Sequence, residues 1–220
     1  KAIKYGVTDR YILGLEVVLP TGEIVRLGGK LVKDVVGYNI KQLMIGSEGT
    51  LGIITKVIVK LSPLPKSKVD LLVLFRDVKS AIGMVPRIMT STGIIPTSVE
   101  FMDKLSVQTS CKYLNEHLPY QEAGAMLLIE VDGTREDIVS DDAEAIGELC
   151  LKNGAIEVYV ADNHTTQERI WSVRRNIAEA FKVVSPCQSL EDIVVPISAI
   201  PDLMPELERI SKKYNIQIPC

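Results

Sequence analysis

Residues 62–67, Ser-Pro-Leu-Pro-Lys-Ser, set the first constraint on this chain. Each proline fixes φ and removes a backbone donor, so neither a helix nor a central strand runs through them. The hydrophobic pattern differs on the two sides. The reading is therefore a strand-rich part over residues 1–62, a linker at 63–67, and a part over 68–220 in which short apolar runs alternate with amphipathic ones.

In the first part, the apolar runs at 15–19 and 24–27 flank Pro20-Thr-Gly-Glu23, a sequence suited to a tight turn between antiparallel strands. Asn39, with Gln42 three residues on, predicts a capped short helix over 40–45. After a glycine-rich loop, residues 53–61 alternate as a strand, with Thr55, Val57, Val59 and Leu61 on one side and Lys56, Ile58 and Lys60 on the other.

In the second part, strands are predicted at 69–75, 98–101, 125–131, 156–160 and 192–195. Helices are predicted at 78–90, 103–115, 135–152, 166–182 and 199–213. For the third helix, Thr134 is the expected cap, Ile138, Ala145, Ile146, Leu149 and Cys150 the expected inner face, and Asn153-Gly154 the stop. This alternation fits a parallel α/β sheet, and equally a ferredoxin-like antiparallel sheet with helices on one face. Periodicity alone leaves both open.

Composition removes several classes of function. The 25 basic and 28 acidic residues give a formal charge of −3, with no long run of one sign, so no footprint for a nucleic-acid backbone is visible. No uninterrupted apolar stretch reaches the ~18 residues that span a bilayer. Cys111, Cys150, Cys187 and Cys220 contain no C-x-x-C pair, and only two histidines accompany them. That pattern supports neither a disulfide framework nor a zinc site, and four unpaired thiols fit a reducing compartment such as the cytoplasm. His117 lies in a turn sequence, and His164 precedes an expected capping box, Thr165 to Glu168. Neither has the neighbours of a triad or a metal cluster.

Two features point to chemistry. Gly46, Gly49 and Gly52 recur at every third position between a helix and a strand. Such a loop lets backbone amides approach a ligand closely, although by spacing alone a plain glycine-rich connector is the favoured reading. Its order, helix then loop then strand, matches neither a dinucleotide-binding turn nor a P-loop. The second feature is Arg174. On a helix over 166–182 it shares the half-circumference of Ile170, Trp171, Val173, Ile177, Ala178, Ala180 and Phe181, while Glu168, Arg175, Glu179 and Lys182 lie opposite. A guanidinium on that side needs an anion. The candidates are an internal carboxylate, Glu191 or Asp192, and a substrate carboxylate; a stem snorkelling past Trp171 is the alternative.

Three ordered segments, 4–20 (KYGVTDRYILGLEVVLP), 33–39 (KDVVGYN) and 46–55 (GSEGTLGIIT), resemble the second half of the flavin domain of the FAD-linked oxidases. These are the family of vanillyl-alcohol oxidase, p-cresol methylhydroxylase, D-lactate dehydrogenases and the D subunit of glycolate oxidase. Residues 171–175 (WSVRR) and 191–196 (EDIVVP) are similar to the substrate-domain pattern of its glycolate oxidase and D-lactate dehydrogenase branch.

The resemblance implies an α+β chain: the second half of a PCMH-type FAD-binding domain, then a ferredoxin-like antiparallel-sheet substrate (cap) domain. It implies non-covalent FAD in the full-length protein, with Gly46, Glu48, Gly49, Thr50, Leu51, Gly52, Ile53 and Ile54 at the cofactor and Tyr5 and Gly6 near the flavin. Arg174 is then the group that binds the carboxylate of a small 2-hydroxy acid. A base takes the hydroxyl proton, hydride goes to flavin N5, and electrons leave to iron–sulfur or other flavoprotein subunits. The family's first glycine-rich pyrophosphate loop and its histidine-containing segment, which holds a divalent metal in several members, match nothing here. The chain is accordingly expected to be an internal fragment, binding FAD weakly or not at all and inactive alone. Asn39 stands where Asp is usual, and Leu190 where some relatives carry a Lys near the substrate. Cytoplasmic location, peripheral membrane attachment through partner subunits and homo-oligomer formation are all compatible with this reading. A reading from another class takes residues 68–220 as a non-catalytic α+β module that binds a ligand or itself.

Overall fold

The computed structural model describes all 220 residues, which divide into two compact units. One comprises Ala2 and Lys4–Leu64, the other Lys1, Ile3 and Pro65–Cys220.

The smaller unit holds α1 (Ala2–Tyr5), β1 (Ile12–Val18), β2 (Ile24–Gly28), α2 (Ile40–Met44) and β3 (Ile53–Val59). Its antiparallel sheet runs β2-β1-β3, with the expected hairpin closed by Leu19 and Glu23 and Gly22 at φ +85° in the turn. The carboxamide oxygen of Asn39 accepts from the Gln42 amide at 3.2 Å, so the expected cap of α2 forms. The core is thin: Leu15, Val17 and Met44, with Ile12, Leu19, Val25, Leu27 and Ile45 packed around them. The alternation read in β3 seats little in this core, since Ile53, Ile54, Val57 and Val59 are exposed and Ile58 is half-buried.

The larger unit holds β4 (Ser67–Phe75), α3 (Val78–Thr92), β5 (Ser98–Asp103), α4 (Lys104–Leu114), β6 (Ala125–Gly133), α5 (Glu136–Lys152), β7 (Ala155–Ala161), α6 (His164–Arg175), α7 (Ile177–Val184) and α8 (Ile200–Tyr214). Its strands form an antiparallel sheet in the order β5-β6-β4-β7, so the parallel alternative falls. The order is that of a ferredoxin-like sheet with α4 inserted between its second and third strands.

Helices cover both faces of this sheet rather than the single face expected. On one, Val69, Leu71, Val73 and Phe75 of β4 and Leu127 and Ile129 of β6 pack with Ala81, Met84 and Ile88 of α3 and Val139, Ala143 and Ile146 of α5. On the other, Leu72, Leu74, Met126 and Leu128 meet Val107 and Cys111 of α4 and Ile170 and Val173 of α6. Double cover explains why β4 and β6 read as continuous apolar runs: both alternating sets of side chains are buried. Truncating one of them, Leu71 for example, would cost about 2–5 kcal/mol.

Four further expectations are corrected. Residues 192–195 form no strand; they are mostly exposed and unpaired with the sheet. The helix expected over 166–182 is two helices, interrupted at Asn176 (φ −95°, ψ 8°), whose side-chain amide donates to the Ser172 carbonyl at 2.9 Å. That helix starts earlier than the Thr165–Glu168 box, because the Asn163 side chain accepts from the Thr166 amide at 3.0 Å. In α5, Arg135 rather than Thr134 occupies the cap, and Val139, Ala143, Ile146, Gly147 and Cys150 face inward while Ile138 is exposed.

Acidic side chains, Asp70, Glu130 and Asp132, are buried on the second face. Asp70 of β4 is fully buried, opposite Glu130 of β6 in register, and neither of its oxygens receives a well-formed hydrogen bond. Burial pushes its carboxyl above the ordinary value and the Glu130 charge adds to this, against the pull of the Lys68 ammonium and the Trp171 indole. A carboxyl raised by folding contributes stability below the ordinary carboxylate range, and that contribution is lost as pH rises through the raised value. Asp70→Asn is therefore expected to unfold at a higher temperature than the wild type near pH ~7.5, the gap closing toward pH ~4. Calorimetric melts across that range check it, and a gap that does not change with pH contradicts it.

The cysteines are all free: Cys111 and Cys150 buried, Cys187 exposed, Cys220 between. Burial pushes the Cys150 thiol up to about 12 and raises Cys111 and Cys220 as well. A chromogenic disulfide reagent should label Cys187 first in the native protein, with Cys111 and Cys150 reacting only as the chain unfolds. Rapid labelling of Cys150 under native conditions would contradict the packing described.

Candidate functional site

In the smaller unit, the glycine loop leaves α2 and enters β3 through a series of tight backbone positions. Gly46 and Gly49 adopt φ +80° and +78°, and Glu48 lies at φ +51°, a conformation that L residues seldom take. The Ser47 carbonyl accepts from the Thr50 amide at 2.9 Å and from its hydroxyl at 2.6 Å, closing the turn. A Cβ on Gly46 or Gly49 would meet nothing within 4 Å, so both face open space. Gly52 differs: it is buried, and a Cβ there would lie 2.6 Å from Val17 Cγ1 and 2.9 Å from the Val18 carbonyl oxygen. The absence of a side chain at Gly52 is what lets the loop cross β1 closely. Glu48, Thr50 and Leu51 are exposed, while Ile53 and Ile54 pair with Val18 and Val17.

Tyr5 and Gly6 are half-buried at the other end of β1. The Tyr5 carbonyl accepts from the Tyr11 hydroxyl at 2.8 Å, and the Arg10 side chain lies over Gly6, which sits at φ +77°. Gln42 donates to Asp9 at 3.2 Å and Lys41 to the Ile12 carbonyl at 3.0 Å, tying α2 to this segment. The unit thus brings Gly6–Ile12 together with α2, whereas Ile53 and Ile54 join β1 at its far end, about 20 Å away along an extended strand. A shallow depression of about 520 Å³ beside α2, lined by Arg26, Leu31, Tyr38 and Lys41 among others, is separate from the glycine loop.

In the larger unit, α6 presents Gln167, Ile170, Trp171 and Arg174, spaced three or four apart, toward the second face of the sheet. Gln167 donates to the carbonyls of Lys68 and Ala161 at 3.1 and 3.0 Å, fixing the start of the helix on β4 and β7. The Ser110 hydroxyl donates to the Val173 carbonyl at 2.6 Å, and Arg169 forks onto Glu116 with contacts of 2.8 to 3.2 Å. These hold the end of α6 that carries Arg174.

Arg174 is not alone on that side. Its Nη2 lies 2.9 Å from Glu100 Oε2 of β5, with the two side chains 37% and 29% exposed, while its Nε is buried without a partner. The internal partner is thus Glu100, not Glu191 or Asp192: both of those are exposed, and Glu191 accepts from Ser189 at 2.5 Å. Strand alternation puts Ser98, Glu100, Asp70, Glu130 and Asp132 on the same face as Leu72 and Met126. Lys68 lies 3.5 Å from Asp70 and 3.8 Å from Glu130, and Lys1 lies 2.5 Å from Glu130. The buried Ser98 hydroxyl and the Trp171 indole nitrogen lack hydrogen-bond partners. The result is a polar stripe inside an otherwise apolar interface, with an incompletely satisfied guanidinium at its edge.

Sequence reasoning did not single out Asp70, Glu100 or Glu130. Their signal was present: each is an acid inside a strand whose neighbouring residues are mainly apolar. A cleft of about 690 Å³ between α3 and α8 is lined by Ile82, Met204, Pro205 and Leu207 among others and does not include Arg174. His117 and His164 are exposed, and no cluster of three or more His, Cys, Asp or Glu is arranged to hold a metal ion. No helix is long and apolar enough to cross a membrane.

Comparison with known proteins places the chain among characterised sequences and folds. The chain is 41% identical over 218 residues to glycolate oxidase subunit GlcD of Bacillus subtilis, covering 99% of this chain and 46% of that protein. It is 36% identical over 223 residues to a D-lactate dehydrogenase of Anaerostipes hadrus, covering 99% and 47%. The chain therefore spans about half the length of the curated relatives it matches. Among solved structures, 4-ethylphenol oxidase from Gulosibacter chungangensis superposes with a TM-score of 0.70 at 15% identity, covering 98% of this chain and 49% of that one. Alkyldihydroxyacetonephosphate synthase gives 0.68 at 21%, covering 96% and 43%, so the fold is shared well beyond close sequence similarity. Residues 64–219 match the family of FAD linked oxidases through its C-terminal domain, and with the glycine loop and sheet just described this establishes that the chain belongs to the FAD-linked oxidases.

Proposed function

We propose that this chain is part of a flavoprotein that oxidises a small 2-hydroxy acid to the 2-oxo acid, residues 1–62 helping to hold FAD and residues 68–220 binding the substrate. The observation that carries the substrate assignment is Arg174: a guanidinium on the sheet-facing side of α6, with one carboxylate partner and a buried, unpartnered Nε. A carboxylate is the ligand that such a fork recognises best. The relatives whose names state an activity are a glycolate oxidase subunit and a D-lactate dehydrogenase, and both names point to 2-hydroxy monocarboxylic acids.

The residues present fit the cofactor. Gly46 and Gly49 leave open space where side chains would stand, and the exposed turn between them offers backbone groups to a ligand. Gly46, Glu48, Gly49, Thr50, Leu51, Gly52, Ile53 and Ile54 would hold FAD mainly through the main chain, with Tyr5 and Gly6 near the flavin. Glu48, being exposed, is free to point away from phosphate. When bound, FAD supplies the acceptor for the hydride leaving the α-carbon. Arg174 would fix the substrate carboxylate, which orients the α-carbon and lowers the entropy cost of reaching the reactive geometry. The helical cover of the second face keeps water from the guanidinium stem and strengthens the interaction. The base that takes the hydroxyl proton is not assigned to a residue of this chain.

The thin core of the smaller unit supports the view that it is one portion of a larger flavin domain. Val32, Val35, Val36 and Tyr38 are almost fully exposed, more apolar surface than so small a core leaves on an independent domain.

Two outcomes are expected. In the full-length flavoenzyme, Arg174→Lys should lower kcat/KM for the 2-hydroxy acid by about tenfold to a hundredfold, because a lysine cannot make the two-pronged contact. Steady-state kinetics check this, and unchanged values remove Arg174 from the site. The 220-residue chain purified alone should be colourless and should not reduce an artificial electron acceptor with glycolate or lactate; a yellow preparation with a bound-flavin spectrum contradicts that.

A further inference from the structure

The stripe on the second sheet face has a charge balance that bears on which acids the site accepts. Its cations are Arg174, Lys68 and Lys1, and each already faces a carboxylate: Glu100 for Arg174, Asp70 and Glu130 for Lys68, Glu130 for Lys1. The other two arginines of α6 are also engaged, Arg169 with Glu116 and Arg175 with Glu168. Each cation of the stripe itself is thus already engaged. Leu190, exposed and uncharged, adds none to them.

Glu100 is the carboxylate paired with Arg174. It projects from β5, whose Ser98, Val99, Phe101, Met102 and Asp103 are fixed by register with β6, so its backbone cannot retreat without breaking the ladder. The carboxylate meets the terminal Nη2 of Arg174 at 2.9 Å, and the buried Nε has no partner. A guanidinium has five N–H donors, so a single incoming carboxylate can share it with Glu100. A second carboxylate on the same small molecule would be drawn within a few ångströms of the Glu100 charge in a partly desolvated setting, where like charges repel strongly.

We propose that Glu100 is a positioning and specificity-determining residue: it holds Arg174 in the pose that receives a substrate carboxylate and, by its own charge, restricts the site to 2-hydroxy acids bearing one carboxylate. This rests on the reading of Arg174 as the substrate-binding group.

The test uses the full-length flavoenzyme with lactate and malate as the monocarboxylate and dicarboxylate pair. The wild type should prefer lactate in kcat/KM. Glu100→Gln, which keeps the shape and removes the charge, should reduce that preference by about tenfold, mostly through KM, and Glu100→Asp should restore much of it. Calorimetric titration of the same proteins with oxamate and oxalate gives a readout independent of turnover: the Gln variant should gain affinity for dianionic oxalate relative to monoanionic oxamate. If Arg174→Lys impairs lactate oxidation while Glu100→Gln leaves both ratios unchanged, the role of Glu100 is overturned and the substrate assignment stands. If Arg174→Lys is without effect on either acid, the assignment itself fails and the proposal with it.

Discussion

The ion pair between Arg174 on α6 and Glu100 on β5 joins a helix to a sheet at the edge of a buried polar stripe, and the functional account depends on how that pair is held. Both partners are fixed from elsewhere. Glu100 is fixed by the β5–β6 ladder, and Arg174 by a helix pinned through Gln167, Ser110 and the Arg169–Glu116 fork. A guanidinium placed this way loses little conformational freedom when an anion arrives, and such preorganisation turns contact into affinity. The cost is a group of charges on a face that apolar side chains would pack more cheaply, with Asp70 the most expensive of them.

The two units solve different problems. The larger has a sheet buried on both faces and a core that runs from Phe75 to Cys150 on one side and from Leu72 to Val173 on the other. The smaller has three strands and few buried side chains, and it spends its sequence on a strained loop. Glu48 lies at positive φ and Gly52 approaches β1 closely. They are the backbone features on which the proposed cofactor-binding role of this loop rests.

Much of this was legible in the sequence because it is local. The Leu19–Glu23 hairpin and the Asn39 cap follow from nearest-neighbour chemistry. Sheet order was not legible, because antiparallel and parallel arrangements share the same alternation and differ only in long-range pairing. The cover of both sheet faces was missed for a related reason: a continuous apolar run reads alike whichever element packs on it. Residues 192–195 have strand-like composition, yet no neighbouring strand offers them hydrogen bonds. Helical spacing placed Arg174 on the inner side of α6, but its partner comes from a distant strand. The Asn163 and Asn176 side chains, through their bonds to backbone groups, set where α6 begins and ends.

The most direct measurement is a crystal structure of the full-length flavoenzyme with oxamate bound. The oxamate carboxylate is expected within hydrogen-bonding distance of the Arg174 guanidinium, with Glu100 still paired to Nη2. Oxamate seated elsewhere, with Arg174 and Glu100 paired and untouched, would contradict this assignment.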